Sequence, residues 1–134
     1  MDLGCYGLHV MRSLGRLAIP GIEGRPSIVR AHAEQRTPGV DAWCDVEIGF
    51  PGGASGLSTH SMVGDAYTFH IRIVGTAGDL LVHNFIKPDK DDQLTVNTPA
   101  GTVVEYSVRA VPGAETEKAS HATVQRGAVL VVCR

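Results

Sequence analysis

The apolar residues of the chain change period once, near residue 26. Before that point Leu3, Gly7, Val10 and Leu14 recur at intervals of four, three and four, the spacing of one helical face. The pattern predicts a helix. Asp2 would sit in its first turn, where a carboxylate complements the helix dipole, and Gly15 would cap its C-terminus. Pro20, Gly21, Gly24 and Pro26 predict a loop. Beyond it the period is two. Residues 43–50 set Cys44, Val46, Ile48 and Phe50 on one face and Asp45 and Glu47 on the other. Residues 67–74 set Tyr67, Phe69, Ile71 and Ile73 against Thr68, His70 and Arg72.

Further short strands are read at 27–35, 57–63, 79–85, 93–98 and 102–108. The Pro-Gly-Gly-Ala-Ser-Gly run at 51–56, the Gly-Thr-Ala-Gly run at 75–78 and the Pro-Ala-Gly run at 99–101 are turns between them. One helix followed by about seven strands, joined mostly by hairpins, is an α+β domain. It has a largely antiparallel open sheet and the helix on one face. The other face, with Thr68, His70 and Arg72, is open to water or to a partner. Residues 113–127 keep no firm period. Residues 128–134 read as a buried strand or a short apolar end with no assigned neighbour. The expected organisation is one domain over 1–112 and an atypical tail over 113–134.

Composition narrows the classes. With 134 residues, 43% of them hydrophobic and 19% charged, the chain can bury a core. A net charge of −2 without a basic block argues against a nucleic-acid partner or a charged membrane surface. No apolar run reaches the roughly 18 residues of a membrane span, and no basic stretch leads into an apolar core as in a secretory leader. Cys5, Cys44 and Cys133 are odd in number and widely spaced, so free buried thiols in a reducing cytoplasm are expected. His32, His60, His70 and His83 fall on strands without close spacing, and a metal site is not expected from them.

Asp2, Tyr6 and His9 are the candidate chemistry. Spacings of four and three bring an acid, a phenol and an imidazole onto one helical stripe. Asp2 alone is explained by helix-start electrostatics and Tyr6 by packing with a wet hydroxyl. His9 fits either substrate contact or capping.

The opening run MDLGCYGLHVMR, with Asp-x-Gly-x-Tyr at residues 2–6, resembles the start of the second domain of the Gfo/Idh/MocA oxidoreductases. The runs DAWCDVEIGFPGGASGLSTHSM and FHIRIVGTAGDLLVHNF resemble that domain's following hairpin and its strand–GTxG–strand unit, in the same order to about residue 108. The tyrosine at position 6 is similar to the dihydrodiol dehydrogenase and glucose–fructose oxidoreductase branches. The resemblance implies hydride transfer between NAD or NADP and a sugar, polyol or dihydrodiol. In it Asp2 is the active-site acid and Tyr6 the proton donor; the family pattern does not require His9. It also implies dimerisation through the sheet.

Three features depart from the family, one of them the end of the chain, which does not resemble the family's long closing helix. The chain has no G-x-G-x-x-G between a strand and a helix, and no Glu-Lys-Pro segment; Lys87-Pro88 follows Ile86 in the wrong context. The expected reading is therefore a cofactor-less fragment, inactive alone and binding no dinucleotide tightly. The alternatives are a non-enzymatic assembly module and a truncated gene product without activity.

Overall fold

The computed structural model describes residues 3–17, 19–64 and 67–106, together with the backbone of 128–133. It opens with helix α1 (Gly4–Leu14). Strands β1 (Ser27–Thr37), β2 (Val40–Gly49) and β3 (Ser55–Ser61) form one antiparallel meander. Strands β4 (Phe69–Gly75), β5 (Gly78–Val82), β6 (Gln93–Thr98) and β7 (Gly101–Tyr106) form a second. The last strand, β8 (Ala128–Cys133), lies between them, parallel to β3 and antiparallel to β4. The result is one open sheet in the order β1-β2-β3-β8-β4-β5-β6-β7. The expected α+β class and the helix on one face are both present.

The position of β8 completes what the local pattern leaves open. Val131 is in register with Ser58 on one side and Ile71 on the other. The expected boundary at residue 112 therefore does not divide the sheet. A β-run of six residues with strand neighbours on both sides can be apolar throughout, so it shows no alternation to read.

The core is one face of the sheet. Cys44, Val46 and Ile48 of β2 and Phe69, Ile71 and Ile73 of β4 are buried there, with Phe50 and Ala54 of the intervening turn. The alternation read in residues 43–50 and 69–73 is the pleat. Tyr67 departs from it: it precedes β4 and is 88% exposed. The loop after α1 folds back over the core and buries Ile22, and the Ala54 N–H donates to the Gly21 carbonyl (2.9 Å).

Helix α1 seats on β3 and β8. Its buried line is Gly4, Gly7 and Met11, not the predicted Leu3, Gly7, Val10 and Leu14. The reason is steric. Below the helix β3 presents Gly56, Ser58 and His60, and a Cβ at Gly56 would lie 3.0 Å from Met11 Cε. So close an approach leaves the central line to small residues and one unbranched methionine. Leu3, Leu8, Val10 and Leu14 flank the line and are partly buried against the core. Gly15 ends the helix as expected, but with right-handed backbone (φ −64°). Its need for glycine comes from packing, because a Cβ there would overlap the Gly24 carbonyl oxygen.

Candidate functional site

Because α1 turns Gly4, Gly7 and Met11 inward, it turns Cys5, Tyr6, His9 and Arg12 outward. Tyr6 and His9 are exposed and stand three residues apart, one turn along the same side. Asp2, the third member of the expected stripe, lies outside the described residues. Cys5 is exposed, which corrects the expectation of a buried thiol; Cys44 is buried.

A dinucleotide needs a pyrophosphate cradle, and the described residues do not form one. Gly75 to Gly78 is the tip of the β4–β5 hairpin, with Gly75 paired to Gly78, and it leads into a strand, not a helix. At the N-terminus of α1, Leu3 has helical backbone and makes no side-chain cap bond.

The face bearing Thr68, His70 and Arg72 is covered by no described element. Thr68 and His70 are nevertheless half-buried. Arg72 Nε meets Asp79 Oδ2 at 3.2 Å, and Asn97 Nδ2 donates to the same carboxylate oxygen (3.3 Å). Thr102 Oγ1 donates to Asn97 Oδ1 (2.8 Å), so a polar ladder crosses β4 to β7. These two donors hold the Asp79 carboxyl below the ordinary aspartate range, the Arg72 hydrogen bond more than that of Asn97. Further along the same face His32 meets Trp43 edge-on at 5.0 Å, and Trp43 Nε1 donates to Glu34 Oε2 (3.1 Å).

Under the helix lies a polar pair that no sequence motif flags. Ser58 is fully buried and His60 is 4% exposed. Ser58 Oγ and His60 Nε2 are 3.0 Å apart, and His60 Nδ1 is buried with no hydrogen-bond partner among the described residues. Burial lowers the His60 pKa, partly offset by the nearby Asp45 charge. Burial also raises the Cys44 thiol, with Asp41 and Asp45 adding to the effect, so Cys44 stays protonated and a poor nucleophile. Ser58 and His60 share one face of β3, as residues two apart in a strand must. A serine–histidine pair suggests a nucleophile and its base. With Ser58 closed to solvent, however, no substrate reaches its hydroxyl, and the pair is a packing element. The signal in the sequence was the Ser-x-His spacing within a run of small residues.

The other histidines separate. His32 is exposed at Trp43, and His83 Nε2 meets Thr95 Oγ1 at 2.8 Å while its Nδ1 lies 3.7 Å from Asp91 Oδ2. Among the described residues no three His, Cys, Asp or Glu side chains converge on a common point. No described helix is long and apolar enough to cross a membrane.

The structure also gathers residues that are dispersed in sequence. Arg12 in the last turn of α1, Arg16 just past its end and Arg25 in the returning loop line one pocket of about 400 Å³ with Gly15, Gly24 and Pro26. No matching family model, no matching curated protein and no matching solved structure is found for this chain.

Proposed function

We propose that the chain is the substrate-and-assembly domain of a nicotinamide-dependent oxidoreductase of the Gfo/Idh/MocA type, which in the complete enzyme acts on a sugar, polyol or dihydrodiol. One observation carries this reading. Tyr6 and His9 share the solvent side of a helix whose other side is seated on an open, largely antiparallel sheet. In this reading Asp2 and Tyr6 are the acid and the phenol of the substrate wall, and His9 touches the substrate. NAD or NADP is bound by a unit outside these 134 residues, since the glycine-rich turn of this chain is a hairpin. The compartment is the reducing cytoplasm.

The test is an NMR titration of this chain with sugars and polyols, then with NADH and NADPH. Weak shifts centred on the Tyr6 and His9 ring protons, lost in Tyr6→Phe, are expected. Shifts confined to other surfaces would sink the substrate assignment. Tight cofactor binding by the chain alone would show that the cofactor half has been misplaced.

A second reading has its own observation. The outer sheet face leaves Leu57, Val74 and Val104 exposed beside the Arg72–Asp79–Asn97 ladder. As a non-enzymatic assembly module, the chain pairs this face, with Thr68, His70 and Arg72, against a second copy. A stable interface of this kind buries about 1,200–2,000 Å² in total. Sedimentation showing only monomer at high micromolar concentration would exclude it.

A further inference from the structure

The strongest feature outside the Tyr6–His9 surface is the arginine-lined pocket at the C-terminal end of α1. Arg12, Arg16 and Arg25 line it, and among the described residues none of the three pairs with a carboxylate. Arg12 and Arg16 are accounted for in part by the negative end of the helix dipole. Arg25 is not, because it belongs to the segment returning toward β1. It is brought in by a backbone clasp. The Gly24 N–H donates to the Gly15 carbonyl (2.8 Å), and both positions disfavour a side chain. A Cβ at Gly15 would overlap the Gly24 carbonyl oxygen. Gly24 has φ +92°, and a Cβ there would lie 3.0 Å from Pro51 Cγ. Main-chain packing thus brings three exposed arginines to the rim of one space.

The cationic pocket continues into an apolar one. Arg12, Arg25 and Pro26 also line a neighbouring pocket of about 250 Å³, whose other walls include Leu8, Met11 and Ile48. Pockets of this size take small molecules. Guanidinium forks match the oxygens of a phosphate in paired hydrogen bonds, and more than one of them suits a dianion. The apolar extension has no use for an inorganic ion.

We infer that the groove between the C-terminal half of α1 and residues 24–28 binds a soluble phosphate monoester with an apolar body. The phosphate lies among Arg12, Arg16 and Arg25, and the body lies on Leu8, Pro26 and Ile28, with Met11 and Ile48 as the floor beneath. Neither Tyr6 nor His9 lines this site, and it does not depend on the oxidoreductase reading.

Isothermal titration at fixed ionic strength tests it, with octyl phosphate kept below its micelle concentration as the probe. Saturable one-to-one binding is expected, about tenfold or more tighter than inorganic phosphate, octanoate or octyl glucoside. Arg12→Gln/Arg25→Gln should weaken it about tenfold or more, whereas Arg30→Gln/Arg36→Gln, with the same change in net charge on exposed β1, should not. Circular dichroism confirms that each variant is folded. Equal loss in both double variants, no saturable binding, octanoate binding as tightly as octyl phosphate, or binding only to phosphatidic acid vesicles would each overturn the inference.

Discussion

Gly7 of α1 lies directly over His60 of β3: a Cβ added at Gly7 would come within 2.5 Å of His60 Cε1 and would overlap Ser58 Oγ. The contact explains why the helix rides so close to the sheet, and it sets the first expectation. Replacing a mid-helix glycine by alanine ordinarily stabilises a helix by about 1 kcal/mol. Gly7→Ala reverses that sign, because overpacking of this kind costs about 1–3 kcal/mol. Thermal unfolding should show a lower Tm for Gly7→Ala than for the native chain. A Tm equal to or above native would place the helix further from β3.

His60 makes stability depend on pH. Burial holds its folded-state pKa below the ordinary value of 6.5, so the unfolded chain takes up the proton first. The stabilising contribution is complete above about pH 6.5 and is lost as pH falls from there toward the folded-state pKa. Denaturant midpoints for the native chain and His60→Gln, followed from pH 7.5 to 5, should converge on the acid side. Parallel curves would assign the pH dependence to other groups.

The Arg72–Asp79 pair gives a site-specific titration. Its hydrogen bond is the leading cause of the depressed Asp79 pKa. Arg72→Gln should raise that pKa toward the ordinary 3.8, stopping short because Asn97 still donates. In the native chain the pair stabilises above the unfolded-state value, and that effect disappears as pH falls through the Asp79 titration. Carboxyl carbon NMR reads the shift directly; an unchanged Asp79 curve would mean the contact does not persist in solution.

The central position of β8 is open to a proline test. Val131 pairs through the backbone with both Ser58 and Ile71. Val131→Pro removes a ladder donor between two strands, which a central strand does not tolerate. Loss of cooperative unfolding is expected. Val29→Pro, at a register shift in exposed β1, should keep a cooperative transition. If Val131→Pro melts like Val29→Pro, β8 is not between β3 and β4.

Tyr6 is 45% exposed, so its hydroxyl contributes little to stability. Tyr6→Phe should melt within about 0.5 kcal/mol of the native chain, leaving its effect on substrate shifts interpretable. A larger loss would mean that the phenol is a packing element.

Much of this architecture is local and was legible. The period-two runs at 43–50 and 69–73 are strands because alternate side chains fall on opposite sides of a pleat, whatever the neighbours are. The turns at 51–54, 75–78 and 99–101 are set by glycine and proline, whose backbone preferences act within a few residues. That a helix precedes the sheet, and that Tyr6 and His9 share one of its sides, follows from 100° per residue alone.

What the chain alone does not specify is which elements meet. The buried line of α1 shifted from leucines to Gly4 and Gly7 because Ser58 and His60 lie beneath it, and that neighbour is set by packing. The uniform apolarity of 128–132 carries no period, so only the pairing of β3 and β4 around it shows it to be a central strand. Arg12, Arg16 and Arg25 add nothing unusual to the charge pattern. They form one pocket because a loop turns back and two glycines let backbone touch backbone. Periodicity acts along the chain and is written in it; proximity between distant segments arises only when side-chain volume, burial and backbone pairing are satisfied together.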